Sequence, residues 1–166
     1  WGPNGEAVQM IVQIALGACL MLVTIAVSGI SLWWVERWLR HRHGWLVVPP
    51  HAAKLVLLLC GAAVWVMGIV TIGVWLWALA FLALGVLPGL EPCVYFALVS
   101  YTTLGYGDVL LPHEWRLLGG MAAANGFITF GLLVASLTEA LRMVRLAQIA
   151  QENDRKSAAP PRTGQK

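Results

Sequence analysis

The sequence predicts an all-α integral membrane protein with three transmembrane helices per chain and a shorter re-entrant helix before the last of them. Three observations predict it. The chain is 59% hydrophobic and only 11% charged, with a mean hydropathy of +0.74, whereas a soluble domain is about 25% charged. Asp, Glu, Lys and Arg are absent from four stretches, 7–35, 55–90, 92–107 and 117–138. The third stretch reaches Gly105 and Gly107 too soon to have crossed a bilayer. An 18.0 kDa globule has too little interior for so many apolar side chains. The same composition excludes a disordered chain, a nucleic-acid-binding domain and a disulfide scaffold.

Each element follows in order. Segment 1–35 holds the first span, since about 20 apolar residues suffice to cross. A basic connection follows over 36–54, with Arg37, Arg40, Arg42 and Lys54. Trp33, Trp34, Trp38 and Trp45 flank it as interfacial anchors, and Pro49-Pro50 interrupts any helix there. The second span, 55–87, is one tilted helix of ~50 Å at 1.5 Å per residue. Glu91-Pro92 then opens a half-helix over 92–102, with proline at the first helical position. At ~16 Å it reaches about half of the ~30 Å hydrocarbon layer. Irregular backbone after it is tolerated at that depth only where protein or a water-filled pore satisfies its polar groups. The last span covers 115–145, and the tail 146–166 is read as a short helical extension giving way to disorder.

Basic residues set the orientation. The connection, the end of the last span (Arg142 and Arg145) and the tail carry every Lys and Arg except Arg116, among 11 in all. All belong on the cytoplasmic side, which three spans permit, because a re-entrant segment enters and leaves by the same face. The amino terminus is then expected outside and the carboxyl terminus in the cytoplasm, with the plasma (cell) membrane as the expected location. Glu6, Glu91, Asp108 and Glu114 gather on the outer face against Arg116 alone. The net charge of +3 and pI of 9.0 therefore reflect topology rather than an anionic partner.

The segment Val99-Ser100-Tyr101-Thr102-Thr103-Leu104-Gly105-Tyr106-Gly107-Asp108 resembles the potassium-channel pore family, whose filter reads Thr-Val-Gly-Tyr-Gly-Asp. The resemblance covers 55–145, with 55–87 as outer helix, 92–102 as pore helix, 103–107 as filter and 115–145 as inner helix. It implies a potassium-selective channel in which backbone oxygens replace the ion's water. Potassium sites would lie at Thr103, Leu104, Gly105 and Tyr106, with Gly107 completing the filter. Glycines at alternate positions permit positive φ, so that successive carbonyls can turn to one axis. One strand supplies one oxygen per level, so four copies are required, and a fourfold symmetric homotetramer is expected. The negative end of each pore-helix dipole supports a cation at the bilayer centre.

Further residues match the family pattern. Asp108 corresponds to the aspartate at the outer mouth. The family often has tryptophans where this chain has Tyr95 and Phe96, one of them bonded to that aspartate, and a Tyr95 hydroxyl is a candidate replacement. Tyr95, Asp108 and Thr102 are thus the expected filter supports. Val99 stands where some members keep a buried glutamate, so that carboxyl pair is absent. Gly126-Phe127-Ile128-Thr129-Phe130-Gly131 resembles the inner helix, with Gly126 and Gly131 as hinge glycines. Close helix packing is an equal reading of Gly126. The family register aims Phe127, Phe130, Val134 and Thr138 at the cavity. Asn125, Thr129 and Ser136, within ~40° of one another at 100° per residue, then become interhelical hydrogen-bonding residues.

Other signals carry less. Cys19, Cys60 and Cys93 are far apart and read as free thiols. His41 and His43 sit among arginines at a solvated turn. No nucleophile–base pair or metal-ligand spacing is visible, so no catalytic residue, enzyme activity or cofactor is expected beyond potassium in the filter. The expected partners are potassium, the lipid bilayer and further copies of the chain, not nucleic acid. No span carries the arginines of a voltage sensor. The alternatives are a non-conducting regulatory or structural subunit and a secondary transporter, although the spans lack the ionisable residues that coupling requires.

Overall fold

The computed structural model describes residues 3–41 and 51–158. Arg42, His43, Trp45, Pro49 and Pro50 of the basic connection lie outside the described residues, as does 159–166 of the tail. Every regular element among the described residues is helical: α1 (Pro3–His41), α2 (His51–Ala83), α3 (Leu90–Tyr101), a 3₁₀ turn (His113–Trp115) and α4 (Arg116–Ala158). Spans 7–38, 56–83 and 113–143 are long and apolar enough to cross a membrane, and α3 is a shorter apolar helix. This is the architecture of a multi-pass membrane protein.

Several boundaries differ from the sequence reading. The second helix ends at Ala83 rather than residue 87. Gly85 adopts φ +62°, its N–H donates to the Leu82 carbonyl, and the Val86 N–H donates to the Phe81 carbonyl. This is a Schellman stop, closed by contact between the apolar residues on either side; Val86 and Phe81 are both buried in the same core. Helix α3 starts at Leu90, so Pro92 occupies the first turn instead of opening it. Gly89 caps that turn at φ +100°. Glu91 lies at the same end, where the helix dipole favours a carboxylate. The last helix runs on through 146–158, the stretch read from the sequence as a short helical extension.

The core forms where α3 lies between α2 and α4. Val74, Trp77, Ala78 and Phe81 of α2 meet Cys93, Ala97 and Tyr101 of α3, with Leu118 and Ala122 of α4 closing the cluster. Phe81 packs edge-on against Phe96, ring centroids 5.4 Å apart. Cys93 is buried and all three cysteines are free thiols. The outward faces of α1 and α2 remain apolar and exposed, as lipid-facing surfaces do.

Helix α1 packs chiefly along α4. Its Gly17 leaves room for Met121, whose sulfur occupies the space a Cβ at that position would need. Three polar contacts accompany this one. Gln13 Oε1 accepts from the Leu118 N–H at 3.3 Å, satisfying one of the amides that a helix start leaves without an intrahelical partner. Asn125 Nδ2 donates to Thr24 Oγ1 at 2.6 Å. Ser31 Oγ accepts from Trp65 Nε1 of α2 at 2.8 Å. At the far end of α1, Trp33, Trp34 and Trp38 are exposed, and Arg37 lies 5.7 Å from the Trp33 ring centre.

Candidate functional site

The site is built where α3 stops. Thr102 follows the last helical residue, and its hydroxyl folds back to donate to the Leu98 carbonyl at 2.7 Å. The chain then turns without repeating structure. The Thr103 N–H donates to the Ser100 carbonyl at 2.9 Å. The Leu104 and Gly105 amides both donate to the Val99 carbonyl, at 3.0 and 3.3 Å. One buried carbonyl of the half-helix therefore anchors two successive amides of the irregular segment.

Positive φ recurs at every second residue: +60° at Thr103, +59° at Gly105 and +77° at Gly107. Glycine reaches this region freely, so the last two are legible in the sequence. Thr103 is not, because a β-branched residue rarely adopts positive φ. It is the only non-glycine residue among those described to do so, and nothing in its local sequence signals it. The whole of 103–108 is exposed on the single subunit, including the side chains of Leu104 and Tyr106.

At the end of this segment away from α3 the Tyr95 hydroxyl donates to Asp108 Oδ2 at 2.5 Å, and the Val109 N–H donates to Oδ1 at 3.0 Å. The pair joins the flank of α3 to the residue after Gly107. The hydroxyl bond is the largest influence on the carboxyl and holds it below the usual aspartate value, while partial desolvation acts the other way. The same bond pushes the tyrosine above its usual value. Thr102, grouped with these two by the sequence reading, bonds its own helix instead.

At the end next to α3, Gly126 of α4 meets the backbone of Tyr101. A Cβ at Gly126 would overlap the Tyr101 carbonyl oxygen, so the close-packing reading of this glycine has a direct steric basis. Gly131 has open space around it within the subunit. Asn125 and Thr129 are fully buried, while Phe127 and Val134 are 72% and 62% exposed. The two sets occupy opposed sides of α4, with Phe130 partly buried and Thr138 exposed. Ser136 departs from the interhelical role expected of it: its hydroxyl donates to the Leu132 carbonyl of its own helix at 2.7 Å.

Sequence reasoning missed the part that α1 and Tyr101 play. Gln13, Gly17, Thr24, Ser28 and Ser31 fall within ~60° of one another at 100° per residue. That stripe of small and polar residues is the signal of a helix-packing face in membranes. It matches the side that α1 turns to its neighbours.

No curated protein and no solved structure matches the chain at a significant level. Residues 69–143 match the protein-family model described as "Ion channel". The match covers somewhat under half of the chain, from within α2 through α3 and the irregular segment into α4. Over this helix–loop–helix unit the chain is similar to ion channels, and α1 lies outside the similarity.

Proposed function

We propose that the protein is a potassium-selective channel, assembled from four copies around the segment 103–107. The observation that carries this reading is the alternation of positive φ at Thr103, Gly105 and Gly107, directly after an intramembrane half-helix. In such backbone, successive carbonyls can be presented to one side, which is what a dehydrated cation requires. Thr103, Leu104, Gly105 and Tyr106 then supply the oxygen levels, and Gly107 completes the segment. Four copies place the carboxyl ends of four α3 helices around the inner side, where their dipoles favour a cation. The face of α4 bearing Phe127, Val134 and Thr138, with the half-buried Phe130 beside them, lines the cavity below. Gly126 and Gly131 are the points at which that helix bends. The Tyr95–Asp108 pair supports the outer mouth.

Both alternatives differ from this reading in their readout. A non-conducting subunit supports no flux, and a transporter supports coupled flux without unitary currents. Purified protein in liposomes under opposed potassium and sodium gradients decides among them. Unitary currents that reverse near the potassium equilibrium potential are expected. Equal permeability to the two ions would overturn the proposal.

A further inference from the structure

Tyr101 is the last residue of α3 and stands two positions before Thr103. Its side chain is fully buried and occupies a slot made by two other helices. On α2, a Cβ at Gly73 would collide with the Tyr101 hydroxyl and with Cζ. On α4, a Cβ at Gly126 would overlap its carbonyl oxygen. Two glycines on two helices thus give way to one residue. The hydroxyl reaches Thr129 Oγ1 of α4 at 3.1 Å, and Thr129 is itself fully buried.

A ring that only filled space would not need this arrangement. Phenylalanine fills the same slot without bringing a hydroxyl that must be satisfied in an apolar interior. The bond ties the end of α3 to α4 from the side chain, while Gly126 brings α4 against the backbone of the same residue. Immediately beyond, the Leu104 and Gly105 amides hang from the Val99 carbonyl, two residues before Tyr101. The first turn after α3 is therefore held at both margins, by Val99 on its own helix and by Tyr101 on the neighbouring one.

We infer that Tyr101 is a positioning residue for the filter: its bond to Thr129 holds the inner end of 103–107 in register with α4, and so sets how sharply potassium is preferred over sodium. The inference rests on the ion-conducting reading above for its ion preference, but the positioning can be measured without any current. Carbonyl ligands discriminate between ions through their number and placement, so freedom at the inner end costs selectivity before it costs conduction.

The test compares wild type, Tyr101→Phe, Thr129→Val and Thr129→Ser in two measurements on the full chain. Hydrogen exchange over 102–107, read by mass spectrometry, is expected to quicken about fivefold in Tyr101→Phe. That factor corresponds to ~1 kcal/mol for one neutral hydrogen bond. Exchange in α1 and the body of α4 is expected to stay as in wild type. Thr129→Val is expected to match Tyr101→Phe, and Thr129→Ser, which keeps the acceptor, to match wild type. If Tyr101→Phe does not fold, the Thr129 pair carries the same comparison. In liposomes, the potassium-to-sodium permeability ratio is expected to fall several-fold in the two variants that lose the bond and to recover in Thr129→Ser. Unchanged exchange at 102–107 overturns the inference, as does quickened exchange with an unchanged ratio. If wild type carries no potassium current, the proposed function fails, and exchange alone decides whether Tyr101 positions the segment.

Discussion

Thr24 of α1 accepts a 2.6 Å hydrogen bond from Asn125, the residue immediately before Gly126 of α4. Thr24 directs its own hydroxyl proton to carbonyls of the preceding turn of α1, Met21 at 2.9 Å and Leu20 at 3.1 Å. The first helix therefore grips α4 at the level where α4 meets the end of α3. The contact sits among apolar residues, where a direct partner is worth more than the rare water. Helix α1 is in this sense part of the packing of the helix–loop–helix unit, although the similarity to ion channels starts only at residue 69.

A double-mutant cycle on Thr24→Val and Asn125→Ala measures this grip. Interhelical hydrogen bonds in membranes average ~0.6 kcal/mol and reach ~1.7, so a coupling energy in that range is expected from thermal or denaturant unfolding in detergent. Thr24→Ser keeps the acceptor and is expected to retain most of the coupling. A coupling indistinguishable from zero would show that this bond adds nothing to the docking of α1.

Gly126 and Gly131 are expected to respond in opposite ways to alanine. At Gly126 the new Cβ has no position that avoids the Tyr101 carbonyl, and backbone cannot turn aside as a flexible side chain does. Overpacking of this kind costs ~1–3 kcal/mol or more. At Gly131 the space within the subunit is open, and alanine gains up to ~1 kcal/mol of helix propensity over glycine. Melting of the two variants in detergent checks the contrast. A Gly126→Ala protein as stable as wild type would refute the close approach.

How much of this was legible in the sequence can be read from particular residues. Charge-free runs mark the three spans because a bilayer excludes Asp, Glu, Lys and Arg from most of a helix. Gly105 and Gly107 mark the turn because only glycine reaches positive φ without a steric cost. The Tyr95–Asp108 pairing was accessible through the resemblance, which supplies the partner's position. Thr103 escapes because its φ of +60° is imposed by the surrounding chain against its own preference. Tyr101 escapes because its importance lies in what surrounds it: Gly73, Gly126 and Thr129 come from other helices, 28, 25 and 28 residues away in sequence. The end of α2 was readable and misjudged, since Gly85 followed by Val86 has the pattern of a helix stop.

The Tyr95–Asp108 bond sets a pH window. Asp108 is held below its usual value in the folded protein. Its contribution is therefore fully present above the ordinary aspartate pKa of ~3.9 and is lost as pH falls through the depressed value. Tyr95 is raised above its usual value, so its contribution is present below ~10 and is lost as pH rises through the raised value. The stability difference between wild type and Tyr95→Phe is thus expected to be flat through neutral pH and to shrink at both extremes. Asp108 is exposed and Tyr95 only half-buried, so solvent screening keeps the plateau small. A difference that changes between pH 6 and 8 would point to another group.

Opening is expected to depend only weakly on voltage. The field acts through charge moved across it, at ~2.3 kcal/mol per charge per 100 mV, and steep gating takes ~3–4 charges in each of four subunits. Stretches 7–35 and 117–138 contain no Asp, Glu, Lys or Arg, and neither does α2 beyond residue 54. The charged residues of the described helices stand at their ends: Glu36 and Arg37 close α1, and Glu139 pairs with Arg142 at 3.5 Å where α4 leaves its apolar span. Charges so placed move with the interfaces and traverse little of the potential. Ions shifting within the filter can still bend the current–voltage relation, so mild rectification is compatible with this expectation. The measurement is a conductance–voltage curve in symmetric potassium on the reconstituted chain. A shallow relation is expected, and a sigmoid as steep as ~10 or more charges per tetramer would require mobile charge that these helices do not carry.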